Sequence, residues 1–485
     1  MVQEVNFRES DGNIGSPPPN ASRTVLIMAP CSSGTPNTVY SIGTADGVSV
    51  VGNGPGPEAA RHILEIAGRP VLVMPLTTTN GVIGAVTPPG AGTPPTLTPS
   101  GTPYDNYDVK VEIRLGGALA TAKFRYSLDG GQTWSGDLFT AASYPIPDTG
   151  LTLGFAAGTY VLADLYTFTA SAPSFSAANL NTAFDAAQIA DYAFGIVYIV
   201  GEAGGVDDAA KSAASAAIVA AATAKQLAMY NAKRPVRIVL ELPYVADAAA
   251  LSAFGSFAGS GSRSPVVVAA WGRVQSAMPH GRAPRVNLAR LIVPLIVSKP
   301  LGKDASAFND DGYSSKLPAA LVPGTNVRDE RKTPGLDAAK FTTVKTFIDV
   351  GGVYLENVRL MSQFGSDFKY IQHGQVIDRA LVVARAGLLP YLSRNLDVKT
   401  SPASESGRMT ESQCLSIELD LSTQLNDDLV QPGHIQGLTF LVDRTKNLIT
   451  TEEIGGRIFI AGKGYPKSVD LVAGLAKTLP AQPAP

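Results

Sequence analysis

Three stretches of the sequence carry side chains at spacings that could do chemistry. Ser127-Leu128-Asp129-Gly130-Gly131-Gln132-Thr133-Trp134 places a carboxylate, two hydroxyls and an indole along one short segment. Asp129-Gly130 supplies a tight turn, because glycine accepts positive φ, and Trp134 can pack over it. That chemistry suits a hairpin brace, or an aromatic face on which a sugar ring stacks. Gly52-Asn53-Gly54-Pro55-Gly56 precedes a helical segment, where backbone N–H groups could cradle a phosphate. The spacing is not G-x-G-x-x-G, Pro55 removes a donor and no Walker lysine follows, so a plain turn is expected. Asn309-Asp310-Asp311-Gly312 lacks the alternating ligands and the closing glutamate of a calcium loop and reads as a turn. No Gly-x-Ser-x-Gly elbow is present. His62, His280, His373 and His434 stand at no metal-ligand spacing from one another or from a cysteine. The expectation is a protein without catalytic residues, cofactor or metal.

The composition supports real cores. Of 485 residues, 45% are hydrophobic and 16% charged, which excludes a disordered chain. With 39 Lys plus Arg against 41 Asp plus Glu, bulk attraction to nucleic acid or an anionic membrane is not expected. Cys31 and Cys414 define no disulfide framework and are expected as buried thiols. The N-terminus lacks the basic and apolar regions of a secretion signal. The Ala213–Ala224 run is shorter than the ~20 residues of a membrane span, and Lys211 and Lys225 bracket it. A soluble chain that folds in the cytoplasm is therefore expected.

The elements follow from apolar periodicity. Residues 1–22 are polar, contain Pro17-Pro18-Pro19 and read as an extended arm. Such an arm reaches ~65 Å. Residues 23–77 open an α/β domain, with buried strands at 24–29 and 70–76, a looser strand at Val48–Val51, and a helix over Pro57–Ala67 stopped by Gly68. Residues 78–172 read as an inserted β domain. Its first part, 78–105, is a Thr/Pro/Gly-rich linker, and period-two strands follow at 107–115, 123–127 and 159–170. Residues 173–342 resume the α/β pattern. Helices are expected at 177–191, at 207–233 with Asp207 as cap, and at 248–257 after Asp247. Strands are expected at 194–200, 236–242 and 266–271. Residues 343–461 hold a strand–turn–strand unit at 344–360, helices at 375–394 and 410–424 around a Ser-rich linker at 398–408, and strands at 437–443 and 456–461. Residues 462–485 form a C-terminal arm and Pro-rich tail, with a strand-like run at 468–474. The fold class is α/β: a helix-covered, mainly parallel sheet with a small all-β insert, a C-terminal α+β domain and extended ends.

Two resemblances follow. Residues 127–134 resemble the Asp-box of sialidase-type β-propellers through Ser127, Asp129, Gly131, Thr133 and Trp134, present here as one copy. That resemblance gives the alternative function of a carbohydrate-binding or adhesive virion protein. Phe440-Leu441-Val442-Asp443-Arg444-Thr445, then Asn447, Gly456-Arg457 and Ile458-Phe459-Ile460, resemble the closing segment of contractile tail sheath proteins. Glu356-Asn357-Val358-Arg359-Leu360 and the opening around Glu58–Ile66 and Arg69–Val73 are similar to that family as well. The Pro-Gly-Val-Tyr start of many sheaths is missing. The resemblance implies a structural subunit of a virion tail, assembled in the host cell cytoplasm. It implies self-association in a hexameric helical lattice through both terminal arms, an inner tail tube protein as partner, and baseplate and tail terminator proteins at the ends. It implies no nucleic acid and no membrane insertion. The tube contact falls near Thr450–Ile454, with Arg444, Lys446, Glu452 and Glu453 as its charged residues.

Overall fold

A computed structural model describes residues 21–467, apart from 91–92, 205–207, 245–262, 276–280, 311–312, 318–319, 322–328, 332–334, 363–365 and 466. The first and last segments of the chain, the caps Asp207 and Asp247, the 248–257 helix and the 468–474 strand lie outside these residues.

Val25–Ala29 is buried on both faces, as a continuous apolar run requires. It forms the middle of a six-stranded sheet in the order 266–268, 237–241, 196–199, 25–29, 71–75, 40–42. Pairing is parallel throughout except at the last strand, which runs antiparallel to Val71–Pro75. Val25, Ile27 and Ala29 join one core with the Pro55–Ala67 and Ala289–Ser298 helices. Leu26 and Met28 join a second core with the Ala177–Ile189 and Asp208–Asn231 helices on the other face. Ser176 caps Ala177–Ile189 in a reciprocal box with Asn179. Gly68 ends Pro55–Ala67 in the left-handed conformation.

The β insert has its own core, built from the inward residues of Tyr107–Leu115 and of its neighbours. One sheet runs 165–170, 107–115, 123–127, 138–139, and another runs 97–101, 151–155, 144–146. A further core joins the Ile371–Leu388 and Glu411–Leu425 helices to a C-terminal hairpin, Gly437–Val442 with Gly456–Ala461. Thr410 caps the second of these helices.

The structure corrects several sequence readings. Asp46–Val51 is a 3-10 helix, not a strand, and its three-residue turn puts Val48 and Val51 on one buried side. The expected linker 78–105 is knitted into the insert: Leu97–Gly101 pairs with Leu151–Phe155, and Ile83 and Thr87 bridge to Ala170 and Thr167. The 266–271 run splits into Val266–Val268 in the large sheet and Trp271–Arg273 in another. The 398–408 segment closes on itself through Lys399 N–H to Arg408 O at 2.7 Å and Gly407 N–H to Lys399 O at 2.9 Å. Cys414 is buried, but Cys31 is only partly so.

Candidate assembly surface

In open parallel sheets, ligands bind beyond the strand C-termini where the strand order reverses. Here that point lies between Val25–Ala29 and Ile196–Ile199, and side chains fill it. Glu58 of the first helix pairs with Arg290 and lies 3.5 Å from Arg282. Arg282 also pairs with Asp105 at the root of the insert. Glu241, at the end of its strand, accepts from the Tyr198 hydroxyl at 2.6 Å and from Gly201 N–H at 3.0 Å. Burial opposes the charge on Arg290, but Glu58, Glu241 and Asp105 outweigh it and raise its pKa. Burial likewise raises the Glu241 carboxyl. The cavity left among these groups is about 10 Å³, the lower limit for one water. The Gly52–Gly56 segment, expected as a plain turn, has no cradle geometry either. Gly54 (φ 120°) is the helix N-cap, and the Gly56 N–H is spent on Pro30 O at 3.2 Å.

The Ser127–Trp134 motif works as a brace. Asp129 Oδ1 accepts from the Ser127 hydroxyl at 2.8 Å and from the N–H groups of Gln132 and Thr133, both at 2.9 Å. Its Oδ2 accepts from the Thr133 hydroxyl at 2.7 Å and from Ala283 N–H, across the domain boundary, at 2.9 Å. Arg273 donates to Asp129 O at 3.1 Å. Burial raises the carboxyl pKa, but the bonds from Ala283, Thr133 and Ser127 prevail and bring it down to about 2. Gly131 O accepts from the Trp134 indole at 3.2 Å, and Arg125 lies 4.4 Å over the ring. Every motif residue therefore points to fixing the insert, with the carboxylate fully used.

A second clasp ties the large sheet to the C-terminal domain. Arg237, wholly buried, donates to Asp378 Oδ2 at 2.6 Å and to Oδ1 at 2.8 Å. Arg263 pairs with the same carboxylate and stacks 3.9 Å over Tyr230. Arg237 also donates to Gly374 O at 3.0 Å. A Cβ on Gly374 would stand 2.3 Å from the guanidinium carbon, so glycine is required there.

The C-terminal hairpin is a two-stranded sheet. Its two edges differ. Val442 N–H donates to Glu418 at 2.7 Å and Val442 O accepts from Arg444 at 3.1 Å, so the outer edge of Gly437–Val442 is capped at its end. Among the described residues nothing pairs with the outer edge of Gly456–Ala461. Ile458 and Ile460 pack on the domain core, while Phe459 is 54% exposed, Leu441 44% and Ile449 67%. An isolated two-stranded sheet is marginal, and an open edge is a template for another strand.

The remaining charged residues sit beside this hairpin. Arg444 bridges Glu411 and Glu418, whose hydrogen bonds hold its pKa above the ordinary arginine value. Lys446 pairs with Glu453 at 2.8 Å, and each raises the other's tendency to stay charged. Glu452, exposed, closes the Leu448–Thr451 turn in the left-handed conformation. The structure thus gathers Lys446, Glu452 and Glu453 on one exposed turn and sets Arg444 at its base. Asn309–Asp310 pairs with Tyr313–Ser314 as a hairpin. No group of His, Cys, Asp and Glu among the described residues could hold a metal ion. No helix among them is long and apolar enough to cross a membrane. Sequence reasoning missed Glu58, Glu241, Arg282, Arg290, Arg237 and Asp378. They are scattered singly, and no spacing ties them together.

The body is a mainly parallel α/β unit carrying a β insert, with side chains closing its sheet crevice and one edge of the C-terminal hairpin unpaired among the described residues. A model of the DUF2586 N-terminal domain matches residues 2–359, and the chain belongs to that family. Among solved structures, the chain is similar to the sheath tail protein Lin1278 from Listeria innocua. Identity is 10%, coverage is 92% of this chain and 96% of that one, and the TM-score is 0.44. No curated protein matches.

Proposed function

We propose that the chain is a structural subunit of a contractile tail sheath that polymerises around an inner tube and drives it through a target cell envelope. The observation that carries this reading is the open edge of Gly456–Ala461, flanked by exposed Phe459 and Leu441. A strand from another subunit completes such a sheet by pairing with its free N–H and C=O groups. The resemblance of residues 440–460 to the closing segment of sheath proteins names the assembly in which this happens.

In this reading residues 1–22 and the tail beyond Lys467 supply the visiting strands. The Asp129 brace and the Asp378 clasp keep each subunit stiff while its arms stay joined to neighbours. Contraction then needs no nucleotide, because a contracted lattice that buries more apolar surface supplies the driving force. Lys446, Glu452 and Glu453 face the inner tube, with Arg444 supporting them. Baseplate and terminator proteins hold the ends of the lattice in a virion tail.

Negative-stain electron microscopy of the purified protein across a concentration series tests the reading. Tubes or stacked rings are expected, and they disappear on deletion of residues 2–20 while the monomer stays folded. A monomer at every concentration, or long tubes from the deleted chain, overturns it.

A further inference from the structure

We propose that Asn80–Gly81, at the root of the insert, is a self-modification site, where the asparagine deamidates through a cyclic imide to aspartate and isoaspartate. The chain contains this dipeptide twice, at Asn53–Gly54 and at Asn80–Gly81. The reaction needs a backbone nitrogen free to attack the side-chain amide carbon of the preceding asparagine. Glycine favours it, because no Cβ crowds the attacking nitrogen. The two copies differ in what holds them. Asn80 is exposed, and among the described residues neither its side chain nor the Gly81 N–H has a hydrogen-bond partner. On either side the chain is fastened: Thr79 N–H donates to Ser174 O at 2.8 Å, and Val82 N–H donates to the Ser171 hydroxyl at 3.0 Å. Packing also imposes half of the reactive pair, since a Cβ on Gly81 would stand 2.1 Å from Ser171 O. The other copy is clamped. Asn53 N–H donates to the Ser32 hydroxyl at 2.8 Å, and Asn53 O accepts from Ser32 N–H at 2.9 Å. The Asn53 side-chain amide donates to Asp148 at 3.3 Å, and Gly54 is buried as a helix N-cap. Swinging Asn53 onto the Gly54 nitrogen would break the Asp148 bond and disturb the helix start.

In the reaction the Gly81 nitrogen gives its proton to solvent base and bonds to Asn80 Cγ. The Cγ–Nδ2 bond breaks, and the leaving nitrogen takes up a proton and departs as ammonia. Water then opens the ring. Attack at Cγ gives aspartate, and attack at the backbone carbonyl gives isoaspartate, whose main chain runs through the side chain and is one carbon longer. Nothing is oxidised or reduced, and water is the co-reactant. Both products place a new carboxylate at the root of the insert. Isoaspartate also lengthens the stretch between two fastened points, Thr79 with Ser174 and Gly84 N–H with Thr169 O at 2.7 Å. Strand pairing is set residue by residue, at a rise of ~3.3 Å each, so both points cannot keep their register. The Arg282–Asp105 pair and the bond from Ala283 to Asp129 lie on other segments and are left in place. Ageing thus loosens one side of the root and spares the other.

Ageing the full-length protein in oxygen-18 water at mildly alkaline pH, followed by peptide mapping in a mass spectrometer, tests the proposal. Each event incorporates one labelled oxygen, and isoaspartate is told from aspartate by enzymatic carboxyl methylation. Asn80 is expected to convert at least about tenfold faster than Asn53, with isoaspartate among its products. In the chain unfolded by urea the two rates are expected to converge, because the fold is what separates them. Asp148→Gly, at a position whose φ of 61° glycine accepts, is expected to speed Asn53 and leave Asn80 unchanged. Equal rates in the folded protein, or a gap that persists in urea, overturn the proposal. Hydrogen exchange of the aged protein reads the consequence: protection is expected to fall at Thr79, Val82 and Gly84 and to hold at Ala283. Asn80→Gln, whose longer side chain disfavours the ring, is expected to keep that protection on ageing. An equal loss in Asn80→Gln, or no loss in chains that carry isoaspartate, overturns the link between the modification and the root.

Discussion

Asp378→Ala removes the carboxylate that the structure places against both Arg237 and Arg263. Arg237 is wholly buried and loses bonds of 2.6 and 2.8 Å, keeping its bond to Gly374 O. Removing the carboxylate from a buried ion pair costs about 3–5 kcal/mol. The loss concentrates at the junction between the large sheet and the Ile371–Leu388 helix, because that is where the carboxylate sits. Hydrogen exchange resolves it: amides of that helix are expected to open more often by a factor of about 10²–10⁴, while those of the insert keep their protection. A partner variant separates charge from shape. Arg237→Met and Arg263→Met with Asp378→Leu removes all three charges with similar volume and is expected to recover most of the loss, since apolar replacement of a buried ionic cluster is near neutral. Gly374→Ala attacks the same clasp sterically and is expected to mimic Asp378→Ala. If Asp378→Ala costs under about 1 kcal/mol, or the triple variant is no better than the single one, the clasp does not hold the two domains in the way described.

Other outcomes follow from the same structure. The Asp129 carboxyl titrates at about 2 when folded, below the ~3.9 of an unfolded chain. Its contribution is complete above about pH 4 and is lost as pH falls toward 2. After discounting for nearby solvent it amounts to about 1–2 kcal/mol. Asp129→Asn is expected to flatten the acid dependence of insert unfolding in that window, read by tryptophan fluorescence, and an unchanged acid limb would contradict it. Phe459→Glu is expected to abolish tubes while moving the monomer's stability by no more than about 0.5 kcal/mol, because the side chain is exposed. The double swap Lys446→Glu with Glu453→Lys keeps their mutual pair but reverses the turn's charge pattern. On the proposed sheath reading it is expected to leave folding intact and to weaken co-sedimentation with the inner tube protein.

The α/β pattern was legible because it rests on runs of buried residues. Val25–Ala29, Val71–Pro75, Ile196–Ile199 and Arg237–Glu241 are strands whose apolar content alone marks them. Ala289–Ser298 escaped notice because, Arg290 apart, it is apolar on nearly every face and contains Pro294, so neither a helical stripe nor an uninterrupted propensity signalled it. Val48–Val51 misled for the opposite reason: β-branched residues suggested a strand, but tertiary packing of Val48 and Val51 selected a 3-10 turn. The Thr- and Pro-rich 78–105 segment looked slack by composition, yet its backbone groups found partners in the insert. At the candidate surface, the Asp-box residues were legible as a local turn. Their bond to Ala283 was not, since 154 positions separate that residue from Asp129. The capped and open edges of the C-terminal hairpin depend on Glu418 and Arg444 meeting Val442, which no pattern along the chain reveals.

The insert leaves and rejoins the body at one doorway. Thr79 N–H donates to Ser174 O at 2.8 Å and Ser174 N–H returns to Thr79 O at 3.0 Å, so the two crossing strands lie side by side. The module between them has a core of its own. It can thus be cut out and replaced by a short loop, or exchanged for a foreign module whose termini are equally close, without re-threading the sheet beneath. In the proposed assembly that doorway recurs once in every subunit.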